Sequence, residues 1–289
     1  PIEVDIIYIK EGHLVRANNV KIGEMPMMLR SSHCHLANCK TDFDYAEKYE
    51  CPLDPGGYFI INGTEKVILM QEQLSKNRII VEKDKFGFAS ANCQSSTHEK
   101  KTRCDILIKK GRNGEKRMKL KHNQLTETHG LPVCIIFKAL GIVSDIEIVQ
   151  LVCGSDQHMQ NEFMSSLEEC HELRVITQNQ AWNYIQNKIK PPLRTVDEQQ
   201  KSKGGNKWGK VKKMIMSKKD LVKDWLISTL LCHIDPDLGL DMSAMLYRKA
   251  VYLAEMVRRV LQTQVDLLKE DDRDYYGNKR LELAGSLMS

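Results

Sequence analysis

Gly277-Asn278-Lys279-Arg280 sets two adjacent cations behind a Gly and an Asn that permit tight turning. Such a turn can hold phosphate oxygens without reading bases, or it can be a solvated turn before the next element. Arg273 lies just upstream, with Asp271 and Asp274 as alternative partners. Lys76 and Arg78 end an earlier element, where they could meet phosphate or equally hold two domains together.

Other groupings meet a chemical obstacle. Gly204, Gly209 and Lys210 fit the spacing of a phosphate loop, but Val211 stands where Ser or Thr must reach magnesium, and no apolar strand precedes it. His33, Cys34, His35, Cys39 and Cys51 gather in one stretch. Zinc needs about four tetrahedral ligands; Cys51 has no paired cysteine, and His33 and His35 would point to opposite faces of a strand. Asp272, Asp274 and Gly277 match three positions of a calcium loop, but Tyr276 and Leu283 occupy ligand positions. No Ser, His and Asp spacing argues for a nucleophile, so neither a catalytic residue nor a metal site is expected here.

These residues must be positioned by an ordinary folded framework. The 289 residues are 42% hydrophobic and 28% charged, enough for about two domains with their own cores. No apolar run approaches the ~20 residues of a membrane span. Nine cysteines without regular spacing suggest reduced thiols. The chain opens on Pro1 and closes where an apolar pattern begins, as expected of part of a longer polypeptide. Of the +5 net charge, Lys188 to Lys219 holds eleven Lys or Arg against Asp197 and Glu198, so the remainder carries −4. That basic stretch could attract DNA or be a solubilising insertion.

The first half reads as strands. Val4 to Ile9 and His13 to Arg16 suggest a hairpin across Lys10-Glu11-Gly12, and Met27 to Leu29 is strand-like. Thr41 can cap a short helix through Tyr49. Tyr58 to Ile61 and Val67 to Leu69 flank Asn62-Gly63, the pair that a type I′ hairpin turn favours. Ile79 to Val81, Phe86 to Asn92, Cys104 to Lys109 and Met118 to His122 follow, the last with Met118, Leu120 and His122 on one face. Val133 to Phe137 is an apolar strand candidate.

The period then becomes helical. Ser144 to Glu147 is a capping-box pattern for a helix that Gly154 can close; a second helix spans Asp156 to Cys170. Thr177 to Gln180 caps a third, with Ala181, Tyr184, Ile185 and Ile189 inward, which Pro191-Pro192 stops. Lys190 to Lys213 is expected to be a flexible loop. A helix resumes at Ser217, with Leu221, Trp225 and Leu226 inward, and ends at Asp235-Pro236. A long helix from Ser243 to Leu268 carries Leu246, Ala250, Leu253, Val257, Val260 and Leu267 on a stripe that suits core packing better than a coiled coil.

Two segments, DPGGYFIINGTEKVILMQEQLSKNR at Asp54 to Arg78 and DDRDYYGNKRLELAG at Asp271 to Gly285, resemble the second-largest subunit of multisubunit DNA-directed RNA polymerases. MPMMLRSS at Met25, SSTHEKK at Ser95 and SLEEC at Ser166 are most similar to eukaryotic RNA polymerase III. The resemblance fails mainly between Lys190 and Lys213. It implies an α+β fold: a mixed protrusion domain, an inserted α/β lobe domain and long C-terminal helices. The protrusion would begin over 1–78, the lobe would occupy 79–213 with a flexible basic loop at 190–213, the protrusion would return over 214–270 beneath the Asn62-Gly63 hairpin, and the fork would start over 271–289.

The resemblance further implies walls of a nucleic-acid cleft, with Lys279 and Arg280 on the first fork loop beside the RNA-DNA hybrid. Asn278, Arg273, Lys76 and Arg78 complete the expected nucleic-acid-binding set. It implies the largest and other polymerase subunits and the DNA template as partners, and a place in the nucleus. Magnesium would belong to the complete polymerase, on aspartates of the largest subunit; Asp42-Phe43-Asp44 is similar to that aspartate loop, but Tyr45-Ala46-Glu47 follows where Gly and Asp are required. The isolated chain is therefore expected to be inactive. The alternative is a protein-interaction scaffold without nucleic-acid binding of its own.

Overall fold

The computed structural model describes residues 1–97, 100–111, 114–126, 130–190, 218–234 and 241–288. They form two compact units, Pro1–Gln73 with Arg280–Ser289, and Leu74–Lys279.

In the first unit, β1 (Ile2–Lys10) and β2 (His13–Gly23) pair antiparallel around Glu11-Gly12. Both turn residues have positive φ, 51° and 82°, as the expected hairpin requires. Helix α1 (Asp42–Glu47) starts at Thr41, whose hydroxyl accepts from the Asp44 N–H while the Asp44 carboxylate accepts from the Thr41 N–H. The expected Thr41 cap thus forms, and Asp44 closes it into a capping box. Strands β3 (Phe59–Ile61) and β4 (Thr64–Lys66) flank Asn62-Gly63, whose φ values are 50° and 74°.

The hairpin's second strand is thus Thr64–Lys66, not Val67 to Leu69. A two-residue turn pairs Thr64 with Ile61 at once, so the apolar residues fall beyond the short ladder and Val67 is 66% exposed. Met27 to Leu29 forms no strand: one reciprocal pair, Leu29 N to Tyr58 O and Gly57 N to Leu29 O, precedes a turn at Arg30. The unit's buried apolar residues are Leu36, Cys39 and Phe59.

The second unit has its core against one sheet. After β5 (Gln71–Leu74) come β6 (Ile79–Lys83), β7 (Ala89–Ser96), β8 (Lys101–Lys110), β9 (Lys116–His122) and β10 (Leu131–Pro132), the last five forming an antiparallel sheet in the order β10-β9-β8-β7-β6. Alternation buries Val81, Ala91, Cys93, Cys104, Ile106, Met118, Leu120 and His122 on the inner face. Phe86 is not in β7: it sits in the Asp84–Gly87 turn, 82% exposed, because Gly87 at φ 79° reverses the chain there.

Val133 to Phe137 is helical, the beginning of α2 (Val133–Leu140), every residue of which is buried. An apolar run surrounded by core has no solvent face to reveal its period, and here Leu131-Pro132 takes the strand position instead. Gly141, at φ 110°, ends the helix. Helices α3 (Asp145–Val152), α4 (Gln157–Glu172) and α5 (Gln178–Gln186) start where the caps were read. Thr177 and Gln180 close their capping box, and Asp156 caps α4; Ser144 makes no side-chain cap, so the box read there does not form. Helix α5 ends at Gln186, before the prolines, and Ile189 bridges to Leu125.

Apart from Lys190, the stretch Lys190 to Lys213 lies outside the described residues, as do Ser217 and Asp235-Pro236. Helix α6 (Lys218–Asp224) runs into a π-helical turn, Trp225–Thr229, which ends in extended backbone at Leu230. Helix α7 (Met242–Gln264) crosses the inner face of β6, β7 and β8 and also meets α2, α3 and α4. It also packs on the Trp225–Thr229 turn, and all these partners lie in the second unit, whereas the Asn62-Gly63 hairpin belongs to the first. The helix stops at Gln264, short of Leu268, because Asp266 takes φ 60° and Leu267 N–H bonds back to Gln262 O at 2.8 Å. Leu267 therefore leaves the stripe and is 59% exposed. A 3-10 turn (Tyr276–Asn278), β11 (Lys279–Glu282), paired with β5, and α8 (Ala284–Met288) complete the chain. The mixture of helices and small antiparallel sheets is the α+β class.

Candidate nucleic-acid interface

Five of the six residues read as nucleic-acid-binding, Lys76, Arg78, Arg273, Asn278 and Lys279, belong to the second unit; Arg280 is the first residue of the other unit's C-terminal segment. After α7 the chain returns along β6. Asp271 N donates to Val81 O at 2.8 Å and the Asp271 carboxylate accepts from Val81 N at 2.9 Å. That attachment carries Arg273 over the strand.

Arg273 makes a two-point ion pair with Glu82 through Nε and Nη2, the latter at 2.7 Å. Its partner is thus neither Asp271 nor Asp274, since Asp271 is held against the β6 backbone. Glu82 holds the guanidinium more firmly protonated than usual. Asp274 lies 3.5 Å from Lys279 Nζ. Asn278 is buried, its side chain donating to Asp272 O at 2.6 Å and its carbonyl accepting from Ser75 N at 2.8 Å. It shapes the turn rather than presenting its amide outward.

Gly277 permits that shape, because a Cβ there would sit on the Tyr275 ring. Arg78 Nη1 reaches the Gly277 carbonyl at 3.4 Å, so Arg78 meets the turn. Lys76 is half-buried, and Arg280 is exposed on β11. Sequence spacing missed Glu82 and Ser75, which lie about two hundred residues from their partners and carry no local signal.

Among the described residues, no three His, Cys, Asp or Glu side chains come together to hold a metal ion. The Asp44 carboxylate is taken by the N–H groups of Lys40 and Thr41, which lower its pKa, so the Asp42-Phe43-Asp44 group serves the start of α1. This donor set does not fit catalytic magnesium. The phosphate-loop match, Gly204 to Val211, lies outside the described residues. Among the described residues, no helix is long and apolar enough to cross a membrane.

What the geometry defines is an α+β unit whose Gly277-Asn278 turn is braced by its own backbone, with Arg273 and Lys279 against Glu82 and Asp274. The chain belongs to the RNA polymerase beta subunit family, whose model matches residues 1–289. It is 44% identical over 290 residues to DNA-directed RNA polymerase III subunit RPC2 of Saccharomyces cerevisiae, a match covering 100% of this chain and 22% of that protein. The corresponding Drosophila melanogaster subunit is 43% identical, with 100% and 23% covered. DNA-directed RNA polymerase II subunit 2 of Arabidopsis thaliana is 30% identical over 311 residues, with 100% and 24% covered. The chain thus spans less than a quarter of the length of these relatives.

Proposed function

We propose that this chain is part of the second-largest subunit of a class III DNA-directed RNA polymerase, forming protrusion and lobe walls of the nucleic-acid cleft and contributing to DNA-templated transcription. The observation that carries this reading is the end-to-end match at 44% identity to a class III subunit, against 30% to a class II subunit. In this reading residues 1–78 and 214–270 belong to the protrusion, 79–213 to the lobe and 271–289 to the start of the fork.

Lys279 and Arg280 contact the backbone beside the RNA-DNA hybrid, with Arg273, Asn278, Lys76 and Arg78 behind them. The largest subunit and the other polymerase subunits are its partners, and the nucleus is where it works. Magnesium and the nucleotidyl-transfer residues lie on other parts of the enzyme, so this chain alone makes no RNA. The test is an in-frame exchange of this chain for the matching segment of the Saccharomyces cerevisiae subunit. An assembled chimeric enzyme that copies a DNA template is expected; failure to assemble, or RNA synthesis by the isolated chain, would overturn the reading.

A scaffold that binds protein partners without nucleic acid is favoured by one observation: Arg273 and Lys279 both lie against carboxylates of the chain itself. Salt-dependent DNA binding separates the two readings. Weakening by Lys279→Ala with Arg280→Ala supports backbone contact, whereas unchanged affinity supports the scaffold.

A further inference from the structure

The outer face of the five-stranded sheet carries a small cleft lined by Arg78, Arg103 and Arg273 with Asn92, Gln94 and Glu82. Strand register builds it. Gln94 stands opposite Arg103, and Asn92 opposite Asp105 on one side and Ile80 on the other. The intervening residues Ala91, Cys93 and Cys104 point into the core, so Asn92, Gln94 and Arg103 share the outer face. Ile80, 7% exposed, contributes an apolar wall. Arg273 closes the cleft from above β6, and Arg78 borders it from the segment between β5 and β6.

Three guanidinium groups line this cleft against one carboxylate, Glu82, which is already paired to Arg273. Arg103 bonds Asp105 through Nε alone, at 2.9 and 3.1 Å, which leaves both terminal nitrogens for a ligand. Arg78 commits only one nitrogen, at 3.4 Å. Asn92 and Gln94 add neutral amide donors. Planar forks beside amides suit the paired oxygens of a phosphate better than a monatomic anion, which offers only one acceptor atom.

We propose that this cleft binds a phosphodiester group of a nucleic-acid strand, with Arg103 and Arg78 holding the anion and Asn92 and Gln94 orienting it. Lys109 and Lys121 stand on the same face of the sheet and lead a strand towards it. That the phosphate belongs to nucleic acid rests on the polymerase reading above; that the cleft takes phosphate rests on its own geometry.

The experiment is titration of the 289-residue chain at low salt with single-stranded decathymidylate and, separately, with inorganic phosphate. Arg103→Gln is expected to weaken decathymidylate binding by about tenfold and to lower the salt slope by about one. Arg103→Lys, which keeps charge but not the fork, is expected to fall between. The side chain is 51% exposed, so the unfolding midpoint should hold in both variants and separate lost binding from lost folding. Wild-type affinity in Arg103→Gln, or no binding by the wild-type chain, would overturn the proposal. Arg103-dependent binding of inorganic phosphate without Arg103-dependent binding of decathymidylate would overturn the nucleic-acid assignment. Lys279→Ala with Arg280→Ala is the parallel control: loss there with none in Arg103→Gln rejects this cleft and keeps the fork turn, and the reverse rejects the fork turn and keeps the cleft.

Discussion

His122 ends β9 on the inner face of the sheet, where its Nδ1 accepts from Gln124 N at 3.2 Å and from Trp225 Nε1 at 3.3 Å. Two donors on Nδ1 place the ring proton on Nε2, which is buried and lies outside hydrogen-bonding geometry. Burial pushes the pKa down to about 4, although the Thr229 carbonyl acts in the other direction. As pH falls below about 6.5 the unfolded chain takes up this proton first, so stability present at neutral pH is lost between about 6.5 and 4. The loss at His122 is expected to be about 3 kcal/mol at most. Urea midpoints measured across this window should fall in the wild type and flatten in His122→Gln; equal slopes would remove His122 as the cause.

At the scale of elements, the π-helical turn Trp225–Thr229 depends on one side chain from another helix. Lys249 of α7 is fully buried, and its ammonium donates to the carbonyls of Leu226 at 2.9 Å, Ile227 at 2.6 Å and Leu230 at 2.6 Å. Wider π-helical winding and the extended Leu230 leave these carbonyls without regular helical partners. Burial lowers the lysine's pKa to about 8, so the ammonium persists at neutral pH. Lys249→Met keeps the bulk but orphans three acceptors, and a loss of roughly 2–4 kcal/mol in chemical unfolding is expected. A loss under about 1 kcal/mol would show that the turn holds without this contact.

Across the whole molecule, stability is distributed unevenly between the two units. The second holds nearly all the buried apolar residues, from β6 to α7, whereas the first buries Leu36, Cys39 and Phe59 and exposes Ile7, Ile9, Leu14 and Ile22 on its longest hairpin. Local opening follows local burial, so amides of β1 and β2 are expected to exchange hydrogen much faster than those of β8, α2 and α7. Similar protection in both sets would contradict this distribution.

The amino-acid sequence by itself determined the Glu11-Gly12 and Asn62-Gly63 turns, the cap at Thr41 and the box at Thr177, the inward faces of β9 and α7, and the family. Each turn or cap is set by residues only a few positions apart, whose φ preferences and side-chain reach act whatever the surroundings. Only the tertiary structure decided that Val133 to Phe137 is helical, that Arg273 pairs with Glu82, that Asn278 turns inward and that Arg103, Arg78 and Arg273 line one cleft. Those outcomes depend on burial and on partners remote in the chain, and no spacing along the sequence specifies which strand a distant side chain will reach.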